Sequence, residues 1–309
     1  GEDNGDNDLD AIIKADFTLS FQFPKLSFMF PENEKFTGQF QILPIGLHNN
    51  IIESTETPYR LIDRDMVKPL LKTRNMFDHK GSFGHGFLVG GSYGKMGAVV
   101  LGARAALRTG IGLVTCHIPS CGKLIMQCAV PEVMAINDRA EKNISEIADP
   151  RSFSAAGIGP GMGKEKETQT ALQRFLGNCM LPVVIDADAL NILSENRKWF
   201  SDIPPMAILT PHPKEFERLA GKTANGFERL RKQIEFSSAH NCIVVLKGAH
   251  TSVSEPGGTV YFNSTGNNGM ATAGSGDTLT GILTSLLAQG YEPLKAAITG
   301  VFIHGLAGD

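Results

Sequence analysis

The sequence predicts an α/β fold in which a mostly parallel sheet is covered by helices on both faces. Three observations carry this reading. Short runs such as VVID (183–186) and CIVVL (242–246) are apolar at successive positions, and a strand of that kind is buried on both faces. Segments of helical period separate these runs, as in a sheet wound by crossover helices. Glycine-rich stretches follow several of the strands, at the edge where open sheets of this class carry their ligands.

Taken in order, residues 1–50 read as strand-rich, with ADFTLSFQF and QFQILPIGL separated by a stretch bearing Pro, Asn and Gly. This piece is too small to be a domain alone. A polar connector over Ile52–Tyr59 leads into the alternating region. There Gly86–Gly90 is a buried-strand candidate, Ala98–Thr109 a helix rich in small residues, and Leu113–Ile118 the next strand, which together make a βαβ unit. Ala155–Ile158, a helix after Lys164, VVID, AILT (207–210), a helix from Lys214 and CIVVL continue the theme. SVSEPGGTVYF reads as a hairpin turning at Gly257–Gly258, an antiparallel addition. From Asp277 onward, Leu or Ile at 279, 282, 283, 286 and 287 mark one helical face, and Gly290 supplies its stop.

Composition narrows the function. A chain of 309 residues, 42% hydrophobic, can bury a large core. Its net charge of −3 leaves no basic excess for nucleic acid or an anionic membrane surface, so small-molecule partners are expected. Five cysteines, odd in number and without C-x-x-C, suggest neither a disulfide framework nor a zinc site and fit a reducing cytoplasm. Arg104 and Arg108 interrupt the longest apolar candidate, so no run reaches the ~18 residues of a spanning helix. The acidic start GEDNGDNDLD is the opposite of a signal peptide. Its missing initial Met, and a stop at HGLAGD directly after a helical pattern, lead us to expect a piece truncated at both ends.

Three glycine loops are placed to bind anions: GGSYGKMG (90–97), GIGPGMGK (157–164) and AGSGD (273–277). None is a standard nucleotide fingerprint. The first is one residue short of G-x-x-x-x-G-K and lacks the Ser or Thr that would hold magnesium, and the second breaks the G-x-G-x-x-G spacing. Each alone suits a tight turn, but their recurrence at one edge favours phosphates. In AGSGD the amides of Gly274, Ser275 and Gly276 would form a positive nest at a helix N-terminus. Asp277 then either begins the helix as a cap or serves as general base toward a substrate hydroxyl. Asp186 and Asp188 could organise a metal or water, with capping by Asp188 equally open. His212 and Glu215 in LTPHPKEFERL could equally be a Pro-rich turn with a helix-start glutamate. Lys247 in LKGAHT could meet a phosphate or sit in solvent.

From about Ile62 to Asp309 the sequence resembles the ADP-dependent NAD(P)H-hydrate dehydratase family, of ribokinase-like fold. HKGSFGHGFLVGGSYGKMGAVVLGARAALRTGIGLVT, GPGMG, IDADALN, TPHPKEFERL, LKGAHT and NNGMATAGSGDTLTGILTSLLAQG are close to its signatures. The resemblance implies a repair lyase that removes water from the 6S hydrate of NADH or NADPH (NADHX or NADPHX). ADP serves in bacterial members and ATP in eukaryotic ones. Phosphorylation of the ring hydroxyl makes a good leaving group, and elimination restores the dihydropyridine.

Position by position, the resemblance makes Asp277 the base and Gly274, Ser275 and Gly276 the anion hole. Lys247, Gly248, Ala249, His250 and Thr251, with Gly276, become nucleotide contacts, and Ala98, Gly161 or Gly163, and His212 contacts to the hydrate. Glu215 and Asp186 fall in the Mg2+ environment, Glu215 through water; related kinases carry N-x-x-E where this chain begins with His212. A homotetramer is implied as well. The family pattern has N-P-G-M and G-G-S-G-D, where this chain has Asn268 and Ala273.

Residues 1–50 also resemble the closing segment of an NAD(P)H-hydrate epimerase domain. The expected division is therefore 1–55 for the end of that domain plus linker and 56–309 for the dehydratase, with no epimerase activity expected from this chain. Two rival readings share the glycine-loop and aspartate logic: a ribokinase-like small-molecule kinase, and a nucleotide-binding module that has lost catalysis.

Overall fold

Successive residues of a strand point to opposite faces, so a run apolar at every position must feed two cores. The computed structural model, which describes Asp8 and Asp10–Asp309 apart from the Glu53 side chain, shows this directly. Most of the acidic start lies outside the described residues. The strands are β1 (Phe17–Phe21), β2 (Gln39–Leu43), β3 (Tyr59–Ile62), β4 (His85–Val89), β5 (Leu113–Ile118) and β6 (Met134–Asn137). They continue with β7 (Ala155–Ile158), β8 (Val183–Ile185), β9 (Ile208–Leu209), β10 (Ile243–Leu246), β11 (Ser252–Ser254) and β12 (Val260–Asn263). β4 sends Leu88 to one core and Phe87 and Val89 to the other; β10 divides Ile243 and Val245 from Val244 and Leu246 in the same way.

The ten-stranded sheet runs β3-β12-β11-β10-β9-β8-β7-β4-β5-β6. Its neighbours are parallel except around β11, which is antiparallel to β10 and β12. Helices Met96–Arg108, Ser275–Ala288 and Pro293–Gly308 close one face, and Lys166–Asn178, Ala187–Glu195, Pro213–Ala220 and Gly226–His240 the other. The expected mostly parallel sheet, covered on both sides, is what forms. The hairpin turns where expected, with Gly258 N–H donating to the Glu255 carbonyl.

Two strands escaped the sequence reading. β3 lies in and just past the stretch read as a polar connector, and β6 follows a short helix, Lys123–Ala129; both are edge strands, whose outer sides need no continuous apolar run. Helix starts also move. The last glycine-led helix begins at Ser275 rather than Asp277, and the small-residue helix at Met96 rather than Ala98.

Near the N-terminus β1 and β2 pair in parallel as a separate two-stranded sheet. Phe17, Leu19 and Phe21, at alternate positions of β1, are 72%, 63% and 65% exposed, so this ribbon turns its apolar face outward. The stretch between the two strands packs inward instead: Met29 and Phe30 share a cluster with Leu230, Val260 and Phe262. Glu32 Oε1 accepts from Gly226 N–H (2.6 Å), fixing the segment to the first turn of the Gly226–His240 helix. Among the described residues no helix is long and apolar enough to cross a membrane.

The helices Met96–Arg108 and Ser275–Ala288 approach so closely that a Cβ on Gly281 would lie 2.0 Å from the Gly102 carbonyl oxygen. Gly281→Ala should therefore cost about 1–3 kcal/mol and lower Tm by several degrees. Gly177→Ala, where a Cβ meets nothing within 4 Å, should leave Tm unchanged or slightly higher. Thermal unfolding of the two variants checks both.

Candidate active site at the carboxyl edge of the sheet

Asp186 directly follows β8, and Lys247 directly follows β10, two strands away. Lys247 Nζ donates to Asp186 Oδ1 (2.9 Å), and Thr280 Oγ1, one turn inside the Ser275–Ala288 helix, donates to Oδ2 (2.7 Å). Asp186 is 1% exposed, so both oxygens of a buried carboxylate are satisfied and its charge is paired. Burial alone would lower the Lys247 pKa, but the charges of Asp186, Glu215 and Asp277 outweigh it and hold the ammonium above its ordinary range. Lys247 is therefore not in free solvent: its Nζ lies 3.2 Å from where a Cβ on Gly276 would stand. Glycine there leaves the helix terminus open to the ammonium and to a ligand.

The N-cap of that helix is Gly274, whose φ of +92° suits glycine, and it makes no side-chain cap. Among the described residues Gly276 and Asp277 N–H find no backbone acceptor, so the first turn presents free donors and the positive end of its dipole. Asp277 sits in this turn without a hydrogen bond or ion pair of its own among the described residues. Asp277 therefore falls in the opening turn of the helix, as one of the two readings had it, but makes no side-chain cap. Burial, then the charges of Asp186 and Asp188, push its pKa up against the pull of Lys247. A half-buried carboxylate with raised basicity and no partner is suited to accept a proton from a ligand.

The other loops converge here. β4 and β7 are parallel neighbours, so their glycine loops touch: Gly91 N–H donates to the Pro160 carbonyl, and Ser92 Oγ to the Gly161 carbonyl (both 2.8 Å). A Cβ on Gly161 would meet that of Ala98 at 3.1 Å, placing those two expected substrate contacts side by side. Gly163 N–H donates to Asp188 Oδ2 (3.0 Å), which also faces Lys95 Nζ at 3.5 Å. Asp188 thus anchors the GPGMG loop instead of capping its own helix, whose N-cap is Asp186.

After β9, His212 caps the Pro213–Ala220 helix. Its Nδ1 accepts from Lys214 and Glu215 N–H, while Glu215 Oε2 accepts from His212 N–H (2.9 Å). The Pro-rich turn with a helix-start glutamate is thus realised; His212 Nε2 also lies 3.6 Å from Glu215 Oε2, and among the described residues Glu215 Oε1 has no hydrogen-bond partner. Burial, followed by Lys247 and Arg218, lowers the His212 pKa, so the ring is neutral near pH 7 with its proton on Nε2. Burial raises that of Glu215.

Lys247–Thr251 forms a turn over the end of β10, closed by Thr251 Oγ1 donating to the Gly248 carbonyl (3.0 Å) and docked through Lys247 N–H on Pro211 (2.9 Å). Among the described residues no group of three or more His, Cys, Asp or Glu could hold a metal ion. Asp186 has no free oxygen, and Glu215 offers one. This donor set fits Mg2+ only as that ion is held by nucleotides, through phosphate oxygens and water.

Thr280 and Lys95 were not singled out from sequence: one falls within an apolar helical run, the other in a loop read for its glycines. A carboxylate at a strand end demands partners once buried, and that was the available signal.

The NAD(P)H-hydrate dehydratase family matches residues 87–309. The bifunctional NAD(P)H-hydrate repair enzyme Nnr of Moorella thermoacetica is 35% identical over 96% of this chain and 58% of its own length, so the chain spans about three fifths of that relative. An ADP-dependent (S)-NAD(P)H-hydrate dehydratase of Neisseria meningitidis is 39% identical, covering 80% of this chain and 85% of its own. The crystal structure of the Bacillus subtilis ADP/ATP-dependent NAD(P)H-hydrate dehydratase, co-crystallised with ATP/Mg2+, superposes with a TM-score of 0.69 at 28% identity over 80% of this chain and 87% of that one. A ribokinase of Cryptococcus neoformans shares the fold alone, at 16% identity and a TM-score of 0.51 over 72% and 93% of the two chains. With a paired lysine and an unpaired carboxylate at its helix terminus, and with this match over most of its length, the chain belongs to the NAD(P)H-hydrate dehydratase family.

Proposed function

We propose that the chain dehydrates the 6S hydrates of NADH and NADPH at the expense of ADP or ATP, as a cofactor-repair lyase. One observation carries the reading: Asp277, unpaired and raised in pKa, stands in the same helical turn as free amide donors and beside Lys247. A carboxylate beside an anion nest is repelled by the phosphate it faces, unless it takes a proton as the phosphoryl group arrives. The family membership supplies the substrate class, and the names of the relatives supply the donor.

In this scheme Asp277 removes the proton of the hydrate's ring hydroxyl, whose oxygen attacks the terminal phosphorus of the nucleotide. The free amides of the first helical turn and Lys247 hold the charge that grows on the transferred oxygens. The bond to the nucleotide's bridging oxygen breaks, leaving AMP from ADP or ADP from ATP. The new phosphate ester is a good leaving group, and loss of phosphate with a ring proton restores the dihydropyridine. Mg2+, when bound with the nucleotide, neutralises phosphate charge. The resemblance assigns Ala98, a glycine of GPGMG (Gly161 or Gly163) and His212 to the hydrate, with His212 Nε2–H as a donor. Lys247–Thr251 takes the nucleotide.

The remaining assignments rest on lesser support. Residues 1–55 are proposed to belong to the end of an epimerase domain; a relative matched over 96% of this chain is bifunctional, and the outward apolar face of β1 is the kind of surface that another domain covers. A cytoplasmic location is proposed as well, supported by five cysteines that are odd in number and lack C-x-x-C.

Purified 6S NADPH hydrate with ADP or ATP should regain reduced-nicotinamide absorbance in the presence of the chain. Asp277→Asn should slow this recovery by about 10²–10⁴-fold while nucleotide binding persists. Recovery unchanged in the variant would remove the base from the scheme.

The raised pKa also fixes two signs. The reaction needs Asp277 ionised, so kcat/KM should fall on acidification with a limb above the ordinary aspartate range, checked by a pH–rate profile. A carboxyl raised on folding binds more protons native than unfolded between its two pKa values, so its contribution to stability declines as pH rises through that window. Asp277→Asn should accordingly raise Tm at pH 7, with the gain shrinking toward acid pH.

A further inference from the structure

The segment that leads into the Ser275–Ala288 helix is strapped to the last helix, Pro293–Gly308. Asn263 Nδ2 donates to the Val301 carbonyl (3.2 Å), Thr265 Oγ1 to the Phe302 carbonyl (2.8 Å) and Asn267 Nδ2 to the Gly308 carbonyl (2.7 Å), while Asp309 Oδ2 accepts from Gly266 N–H (2.9 Å). Gly305 permits the close approach, since a Cβ there would run into Thr265 Oγ1. His304 Nε2 is thereby held 3.4 Å from Ser275 Oγ, which has no other hydrogen-bond partner among the described residues. The Ser275 N–H is already turned to the Thr272 carbonyl (3.4 Å). Of its two donors, Ser275 therefore has its hydroxyl to offer the anion nest and not its amide. Burial, opposed by the Ser275 backbone and reinforced by the charge of Lys247, lowers the His304 pKa, so the ring is neutral near pH 7 and borders the same site as the ammonium.

We propose that His304 is a positioning residue for phosphoryl transfer: its Nε2–H donates to Ser275 Oγ, and the Ser275 hydroxyl proton is thereby directed to an oxygen of the transferred phosphoryl group. This deepens the proposed function and rests on it. A neutral imidazole has one N–H, and a hydroxyl has one hydrogen and two lone pairs. Accepting from His304 leaves the Ser275 hydrogen for the ligand, whereas donating to His304 would leave only lone pairs for a phosphate that already carries negative charge. A serine hydroxyl in a first helical turn also competes for nearby backbone N–H groups. The bond from His304 occupies the oxygen that would otherwise close on Gly276 and Asp277 N–H, so those amides stay open as well. A hydroxyl that accepts one hydrogen bond donates a stronger one, because successive bonds polarise each other. The transferred oxygens are then met by the free amides, the Lys247 ammonium and one hydroxyl. His304 acts on them only through Ser275, from a helix 29 residues further along the chain.

Rates of hydrate dehydration in the full chain, with ADP affinity by calorimetry and Tm measured alongside, test this. Ser275→Ala should lower kcat by about 10²–10³-fold, the usual worth of one donor to a developing oxyanion, and His304→Ala by about 10- to 100-fold, since it misdirects that donor without deleting it. ADP affinity and Tm should change little in either variant. The double variant should be no slower than Ser275→Ala alone, because the histidine acts only through the hydroxyl. His304→Gln, whose side-chain amide donates in place of Nε2–H, should recover most of the loss. In a chain that is active when unaltered, this inference alone is overturned if His304→Ala keeps the full rate, if the two single losses multiply, or if the loss is matched by a fall in ADP affinity or Tm. An unaltered chain that does not dehydrate the hydrate overturns the proposed function and this inference together.

Discussion

Lys247 and Asp186 meet at 2.9 Å just past the ends of two strands of the sheet, and Thr280 reaches the second carboxylate oxygen from the Ser275–Ala288 helix. Three elements far apart in sequence are thus tied to one buried charge. Such a charge costs several kcal/mol to desolvate, and only complete pairing offsets that. Removing either partner leaves the other buried and uncompensated. This constraint fixes the strand ends and the register of the helix N-terminus relative to them, and it sets the electrostatic conditions for everything nearby.

Two consequences follow for Asp277. Because Asp186 consumes the short hydrogen bond of Lys247, Asp277 gains only the ammonium's more distant attraction, while it feels the negative charges of Asp186 and Asp188. It therefore keeps a raised pKa and does not become half of a close ion pair, which is what the proposed base needs. Because Gly276 has no side chain, the ammonium and the open amides can face the same ligand oxygens. The arrangement is locally unfavourable, with an unsatisfied helix terminus beside an unpartnered carboxylate. In the function we propose, the phosphate of a ligand satisfies the amides and the ligand's hydroxyl partners the carboxylate.

Much of this was legible in the sequence, and for identifiable reasons. Apolar runs such as IVVL and VVI declare two-sided burial, so the sheet and its two helical layers could be read without any contact information. AGSGD announced itself because its glycines exceed what a helix start requires. Lys247, Asp186 and Asp277 could be named as separate candidates, but their mutual arrangement could not, since it depends on strand order: β10 and β8 are brought together by β9, which is only two residues long. Thr280 was hidden because a hydroxyl within an apolar helix gives no periodic signal. Asp188 was ambiguous between capping and a site role, and the structure gives it a third task, holding the Gly163 amide. The edge strands β3 and β6 were missed because edges relax the apolar requirement that made the central strands readable.

The central claim is that the paired Asp186 keeps Asp277 basic and free. Carbon-13 NMR titration of the Asp277 carboxyl in the unaltered chain and in Asp186→Asn tests it most directly. The account predicts a pKa above the ordinary aspartate range in the unaltered chain and a clear downward move in the variant, where the neighbouring charge is gone and Lys247 is released. An Asp277 that titrates in the ordinary range, or one that does not respond to Asp186→Asn, would contradict it.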